Sequence, residues 1–169
     1  MNPDDHVKEV YANFGLALYL AQVLEHAVVN ALMHIDLIPK RSRSCSPEEW
    51  EKTFDEYLET QFDLTMGRMI QRLKEVSTLP DDLEGLLKLA LQKRNWLAHD
   101  YFRERATDFM SESGREVMIE ELEQAGNLFR YVDHHLEETI KPVRERYGLT
   151  DEKISEHFEN WKKQFPVDL

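Results

Sequence analysis

The chain has 169 residues, of which 41% are hydrophobic and 32% charged, and this suits one soluble globular domain with its own core. Its formal net charge of −12 argues against a protein that coats nucleic acid through bulk positive charge. The single cysteine, Cys45, excludes an internal disulfide and indicates a reducing, cytoplasmic environment. The long segments rich in Leu, Glu, Lys and Arg favour helices.

The first predicted helix begins after Asn2 and carries two adjacent apolar stripes. A helix that is apolar over so much of its circumference needs cover on more than one side. The cover is either a second copy of the chain, which we expect, or a bundle that fully encloses a central helix. The stripes consist of Val10, Phe14, Ala17, Ala21, Leu24, Val28, Ala31 and Ile35, and beside them Leu16, Leu20, Val23 and Ala27.

The same helix is not predicted to cross a membrane, because polar side chains interrupt its apolar part between residues 14 and 33. The first ten residues also lack the basic-then-apolar order of a secretory signal. We therefore expect a cytoplasmic protein with no membrane partner. The interrupting residues are Gln22, Glu25, His26 and Asn30.

The next part of the chain predicts a loop and then a broken helix. Residues 36–46 have the composition of a loop, and Ser46 and Glu49 form a capping box that begins the second helix. We expect this helix to be broken near residues 60–63 and to end at residues 77–80.

Two further helices complete the predicted bundle. One begins near Asp81, and the other follows a capping box of Ser113 and Glu116. Pro142 is expected to end or kink the latter around residues 138–141, because proline removes a helical hydrogen bond.

Residues 1–148 thus predict one all-α domain of packed helices. Thr150 then reads as the cap of a last helix that reaches about Gln164. We expect residues 149–169 to form an accessory helix packed on the same domain through its apolar side chains. These are Ile154, Phe158 and Trp161.

The helix that begins near Asp81 runs into the segment KRNWLAHDYF, residues 93–102. Arg94 stands in the apolar stripe of this helix, where a core residue is expected. Arginine is rarely buried without a partner or a task, and the partner would be Glu25, the one acid in the long apolar part of the first helix. The stripe is Leu83, Leu87, Ala90, Arg94, Leu97 and Tyr101.

Arg94 and His99 together suggest phosphodiester chemistry without a metal. The arginine fork matches phosphate oxygens and stays charged, and histidine moves protons near neutral pH. In RNA, the 2′-hydroxyl can attack its own adjacent phosphate if a base takes the proton and a cation stabilises the oxyanions. The two side chains lie about 140° apart on an ideal helix, so they converge only if the helix ends near His99 or two subunits meet there.

The pattern of Arg94, the polar Asn95 and His99 after four intervening residues resembles the signature of the HEPN superfamily. Tyr101 resembles a further tyrosine of HEPN toxins encoded beside a nucleotidyltransferase antitoxin. The resemblance implies a four- to five-helix up-and-down bundle that dimerises with its motifs facing one another and cleaves RNA without a metal. In the paired subgroup it also implies silencing by attachment of AMP to Tyr101.

We assign Arg94 and His99 catalytic roles, with Asn95 and Tyr101 in support. Tyr101 is expected to hydrogen-bond a phosphate, stack on a base or be a half-buried aromatic on the helix stripe. Backbone contacts to RNA are expected from Lys93, Arg103 and Arg105. The expected partners are a second copy of the chain, an RNA substrate and a nucleotidyltransferase antitoxin. We predict no cofactor and assign no metal ligand.

Two alternatives remain open at this stage. One is a non-catalytic HEPN-like module, in which Arg94 and His99 bind a nucleotide or support a protein interaction. The other is a helical scaffold in which Arg94 is merely ion-paired.

Overall fold

Helices are the only regular elements in residues 3–41 and 45–164, the parts of the chain that the computed structural model describes. The all-α prediction is therefore confirmed. The helices are α1 (Pro3–Leu32), α2 (Pro47–Phe62), α3 (Met66–Val76), α4 (Asp81–His99), α5 (Tyr101–Glu104), α6 (Ala106–Phe109), α7 (Glu112–Arg146) and α8 (Asp151–Gln164).

The core is built around α1 and α7, which contact each other more extensively than any other pair of helices. Small residues let the two backbones approach closely. A Cβ added to Gly126 of α7 would lie 3.1 Å from Leu20 Cδ1 of α1, so a larger residue there would push the helices apart. α3 and α4 pack against another side of α1.

The two apolar stripes of α1 have different environments. The first is almost wholly buried, from Val10 at its start to Ala31 near its end. The second is only partly covered, and Leu16 within it is 45% exposed. The bundle therefore does not fully enclose α1, and an uncovered apolar strip remains on its surface.

The stretch Asp5–Lys40 is long and apolar enough, by length and composition alone, to pass as a membrane-crossing helix. The core helix of a soluble protein passes the same test, and α1 is packed against α3, α4 and α7. The finding is weak evidence for a membrane span.

The loop expected at residues 36–46 is shorter than predicted. The chain continues beyond α1 as a π-helical turn, Met33–Leu37, and a 3-10 turn, Ile38–Lys40. The buried Asp36 stabilises these turns, because it pairs with Lys40 and accepts a hydrogen bond of 2.7 Å from Arg72 of α3. Composition alone does not reveal such a tertiary anchor. Residues 42–44 lie outside the described residues.

The predicted cap of α7 is wrong, and so is a helix end at Pro142; the kink expected there as the other possibility stays a prediction. Ser111 caps the helix by accepting a hydrogen bond from the Gly114 amide, so Ser113 lies within the first turn. A side chain at Gly114 would collide with the backbone of Asp108, and glycine thereby permits the tight turn from α6. Pro142 does not end the helix, which runs through it to Arg146.

The other helix boundaries agree with prediction. Ser46 and Glu49 make both hydrogen bonds of the capping box. The second predicted helix is divided between Phe62 and Met66, and α4 begins at Asp81.

The packing predicted for the last helix stays a prediction, although the described residues show no buried apolar seam under it. Every residue of α8 is exposed, and its apolar side chains Ile154 and Phe158 are about half exposed. The helix is attached through Asp151, which pairs with Arg144 and Lys141 of α7. Polar contacts at its first residue therefore hold α8 where an apolar seam was expected.

Candidate functional site

The candidate site lies at the carboxyl end of α4, where the helix stops at His99. Asp100 follows with φ −124° and ψ −21°, and the chain turns directly into α5. A helix end near His99 was one of the two conditions under which Arg94 and His99 could converge, and the structure meets it. It places Arg94 and Asn95 in the penultimate turn and His99 at the terminus, the position at which the orientation of a side chain is least fixed by the helix.

Arg94 is paired with Glu25, as the structural alternative expected. Its Nε lies 2.8 Å from Glu25 Oε1, and the two side chains are 33% and 20% exposed. The same carboxylate oxygen is buried and accepts no well-aligned hydrogen bond, so the contact is an attraction between charges without a directed N–H donor. Nη1 donates to Asn95 Oδ1 over 3.2 Å. Arg94 is thus held by Glu25 and Asn95, with part of its guanidinium exposed.

His99 is exposed at the end of the helix. In residues 3–41 and 45–164, no hydrogen bond or ion pair joins its imidazole to another side chain. One protomer therefore brings Arg94 and Asn95 into contact but does not connect His99 to them. Both imidazole nitrogens are available to a ligand or a second protomer.

Tyr101 lies in the core and not at the surface. It is 1% exposed, and its hydroxyl donates to the Met118 carbonyl over 3.1 Å. Its ring meets Trp96 edge-on at 4.8 Å and stacks on Phe14 at 5.7 Å. Burial, and then the negative charge of Glu121, raise the pKa of Tyr101 well above its usual range. In this conformation the hydroxyl is presented to neither a phosphate nor a modifying enzyme.

The predicted backbone-binding cations differ in availability. Arg105 makes two hydrogen bonds to Glu121, of 2.8 and 2.7 Å, and its guanidinium lies over the Trp96 ring. These hydrogen bonds to the Glu121 carboxylate raise the pKa of Arg105 above its ordinary value. Arg103 pairs with Asp100 but is 75% exposed, and Lys93 lies over Trp96 at 4.3 Å. Arg103 and Lys93 are thus accessible, whereas Arg105 is committed to Glu121.

A surface groove beside the motif, of about 390 Å³, is lined by Lys93, Trp96 and Arg105 among others. Glu104 and Glu121 line it too, and Trp96 Nε1 donates to Glu104 over 2.7 Å. Its charges are balanced, so this groove is not a strong attractor of phosphate.

A second groove, of about 320 Å³, lies between α1 and α7. It combines His26 and His34 with Asp133 and Glu137. Burial lowers the pKa of His34, while burial and then Glu137 raise the pKa of Asp133. Sequence reasoning noted His26 but missed the groove, because its two walls are about a hundred residues apart in the chain.

No metal ligand was assigned from the sequence, yet the described residues contain one group that could hold an ion. The ligand atoms of His6, Glu112 and Glu116 all lie within 4.8 Å of one another. Their distance along the chain leaves no spacing motif by which to recognise them.

No family model, no curated protein and no solved structure matches the chain.

Proposed function

We propose that the chain is a metal-independent endoribonuclease of the HEPN type that acts as a homodimer. The observation that carries the proposal is the end of α4, where an exposed His99 with no side-chain partner among the described residues follows a part-exposed Arg94 held by Asn95. A proton-transfer group and a permanent cation are the two requirements for attack by an RNA 2′-hydroxyl.

In the proposed reaction His99 takes the proton of the 2′-hydroxyl, and the resulting oxygen attacks the adjacent phosphorus. Arg94 stabilises the negative charge on the non-bridging oxygens. The bond from phosphorus to the 5′-oxygen breaks, and that oxygen takes a proton from a second histidine or from water. The products are a 2′,3′-cyclic phosphate and a free 5′-hydroxyl.

Dimerisation supplies what one protomer lacks. Arg94 and His99 have no contact within one chain, and α1 leaves apolar side chains exposed, among them Leu16 and Tyr19. In the proposed dimer two α4 ends face one another, so that Arg94 of one protomer and His99 of its partner act on one phosphate. In a site shared between two copies of the chain, a substitution in either copy impairs the reaction.

The proposed setting is a prokaryotic toxin–antitoxin or defence system in the cytoplasm, with a nucleotidyltransferase as the antitoxin. Transfer of AMP to Tyr101 would require α5 to separate from Phe14 and Met118, which enclose the hydroxyl. We therefore propose this modification only for a state in which α5 is released.

The direct test measures cleavage of a labelled single-stranded RNA in excess EDTA by wild type, Arg94→Ala and His99→Ala. General acid–base catalysis contributes about 10²–10⁴-fold, so we expect a loss of this size in His99→Ala. Arg68→Ala and His157→Ala are matched controls, because both side chains are exposed and remote in sequence from the motif. Equal cleavage by all five proteins would overturn the proposed roles.

Mixing the two inactive variants tests the dimer. If each site takes Arg94 from one protomer and His99 from the other, a mixed dimer contains one intact site and regains activity. If both residues act within one chain, every site in the mixture carries a defect and no activity returns.

The second candidate is a non-catalytic module that binds a nucleotide or a protein, and the exposed His99 without a side-chain partner among the described residues serves such binding equally well. The ion pair between Arg94 and Glu25 is the feature expected of a helical scaffold. A phosphate must compete with Glu25 for the guanidinium. Glu25→Gln separates the candidates. In the nuclease it releases Arg94 and strengthens RNA binding, whereas in the module it changes ligand binding without any cleavage by wild type or variant.

A further inference from the structure

The amino-terminal ends of α1 and α7 meet at a place remote from Arg94. His6 lies in the second turn of α1, while Glu112 and Glu116 lie one helical turn apart at the start of α7. Tyr11 of α1 packs on Phe109, the last residue of α6, at 5.7 Å, and α6 leads directly into the start of α7. The cluster of His6, Glu112 and Glu116 is thus positioned by the fold itself.

The environment of the His6 imidazole also points to a ligand at this cluster. His6 is 8% exposed, and within the described residues it has no hydrogen-bond or ion-pair partner. Its ring nitrogens are not among the fully enclosed polar atoms of the described residues, so the fold holds the ring in place and leaves its nitrogens able to reach an ion. Both carboxylates of the cluster are exposed, so their side chains are free to adjust.

The distances fit one ion. The three ligand atoms all lie within 4.8 Å of one another. A point between them is therefore at most about 2.8 Å from each, against about 2.1 Å for a zinc–nitrogen or zinc–oxygen bond. Rotation of the exposed glutamate side chains can bring their oxygens the remaining distance to the ion.

We propose that His6, Glu112 and Glu116 bind one divalent transition-metal ion, with Zn²⁺ as the best match. An imidazole nitrogen with two carboxylate oxygens suits Zn²⁺ better than Mg²⁺ or Ca²⁺, which prefer oxygen ligands alone. Three protein ligands leave a fourth position of the tetrahedron to water.

The ion would fasten the start of α1 to the start of α7. A ligand that binds only the folded chain raises its stability in proportion to its concentration and affinity. The site is separate from Arg94, since the 19 positions from His6 to Glu25, the partner of Arg94, span about 28 Å of helix axis. Cleavage in EDTA and zinc binding are therefore independent properties.

The test uses the full chain, freed of metal with EDTA and then dialysed. Calorimetric titration with ZnCl₂ should give one ion per chain, and zinc should raise the midpoint of thermal unfolding by several degrees. Glu112→Gln, Glu116→Gln and His6→Gln should each weaken binding at least tenfold. Glu123→Gln on the same helix and His157→Gln in α8 are matched controls, which should bind zinc like the wild type.

The two glutamate variants keep the test informative if His6→Gln fails to fold, because their side chains are exposed. Zinc K-edge absorption should show one imidazole in the coordination shell. The proposal is overturned if Glu112→Gln and Glu116→Gln bind zinc like the wild type, if His157→Gln abolishes binding, or if Mg²⁺ binds as tightly as Zn²⁺.

Discussion

The two halves of the motif segment have opposite environments although only Asp100 separates them. Residues 93–99, the helical half, present His99 and Asn95 to solvent. Residues 101–105, the returning half, bury Tyr101 and commit Arg105 to Glu121. The end of α4 is the cause of the difference, because the chain reverses there and carries the next aromatic side chains into the core.

This contrast teaches that chemical suitability and position are separate properties. Arginine, histidine and tyrosine side chains all suit phosphate chemistry. The fold exposes His99, partly covers Arg94 and buries Tyr101. If the first half is functional and the second half is structural, substitutions in the first half should change activity and RNA binding. Substitutions in the second half should lower the free energy of unfolding.

The largest expected effect is on stability, in Tyr101→Ala. This change removes a ring enclosed by Phe14, Phe102 and Trp96, and loss of a buried aromatic costs about 3–5 kcal/mol of unfolding free energy. His99→Ala, on the exposed side of the turn, should change it by no more than about 0.5 kcal/mol. Urea unfolding followed by circular dichroism compares the two, and equal losses would remove the contrast between the halves.

The next effect concerns the pair of Arg105 and Glu121. Their side chains are 29% and 21% exposed and joined by two hydrogen bonds, so we expect a coupling free energy of about 1–2 kcal/mol. A double-mutant cycle with Arg105→Met and Glu121→Gln measures it. A coupling near zero would mean that Arg105 is free in solution and available to RNA.

Tyr101→Phe isolates the hydroxyl from the ring. The variant keeps the aromatic contacts and loses only the hydrogen bond to the Met118 carbonyl, which should cost about 1 kcal/mol. The same unfolding measurement applies, with Tyr19→Phe as control because Tyr19 is 61% exposed. A larger loss in the control than in Tyr101→Phe would show that the buried hydroxyl contributes nothing.

How much of the fold could be predicted from the sequence depends on how far apart along the chain the interacting residues lie. Helical periodicity and the local capping box at Ser46 fixed where most helices lie, and the α1 partner of Arg94 was also predicted. The cap at Ser111 was missed because it depends on the close approach of α6 to Gly114. Apolar spacing in α8 predicted packing, but spacing does not show whether a receiving surface exists.

Within the site, sequence identified the residue types and the helix end, but not their accessibility. The commitment of Arg105 depends on Glu121, which lies 16 positions away on α7. The burial of Tyr101 depends on Phe14 and Met118 from two other helices. Such long-range contacts leave no mark in a local motif.

The smallest effects concern single cations at the surface, and they bear most directly on RNA binding. Lys93→Met removes the contact of its ammonium with the Trp96 ring, worth about 0.5 kcal/mol at an exposed site, and Arg103→Met should leave stability unchanged. If both side chains contact the RNA backbone, each variant lowers the slope of log affinity against log salt by about 0.7, the value for one phosphate of a single strand. Arg105→Met, whose guanidinium is already neutralised by Glu121, should leave the slope unchanged. A change of slope in Arg105→Met alone would mean that Arg105 contacts the RNA backbone in spite of its pairing with Glu121, and the distinction between accessible and committed cations would fail.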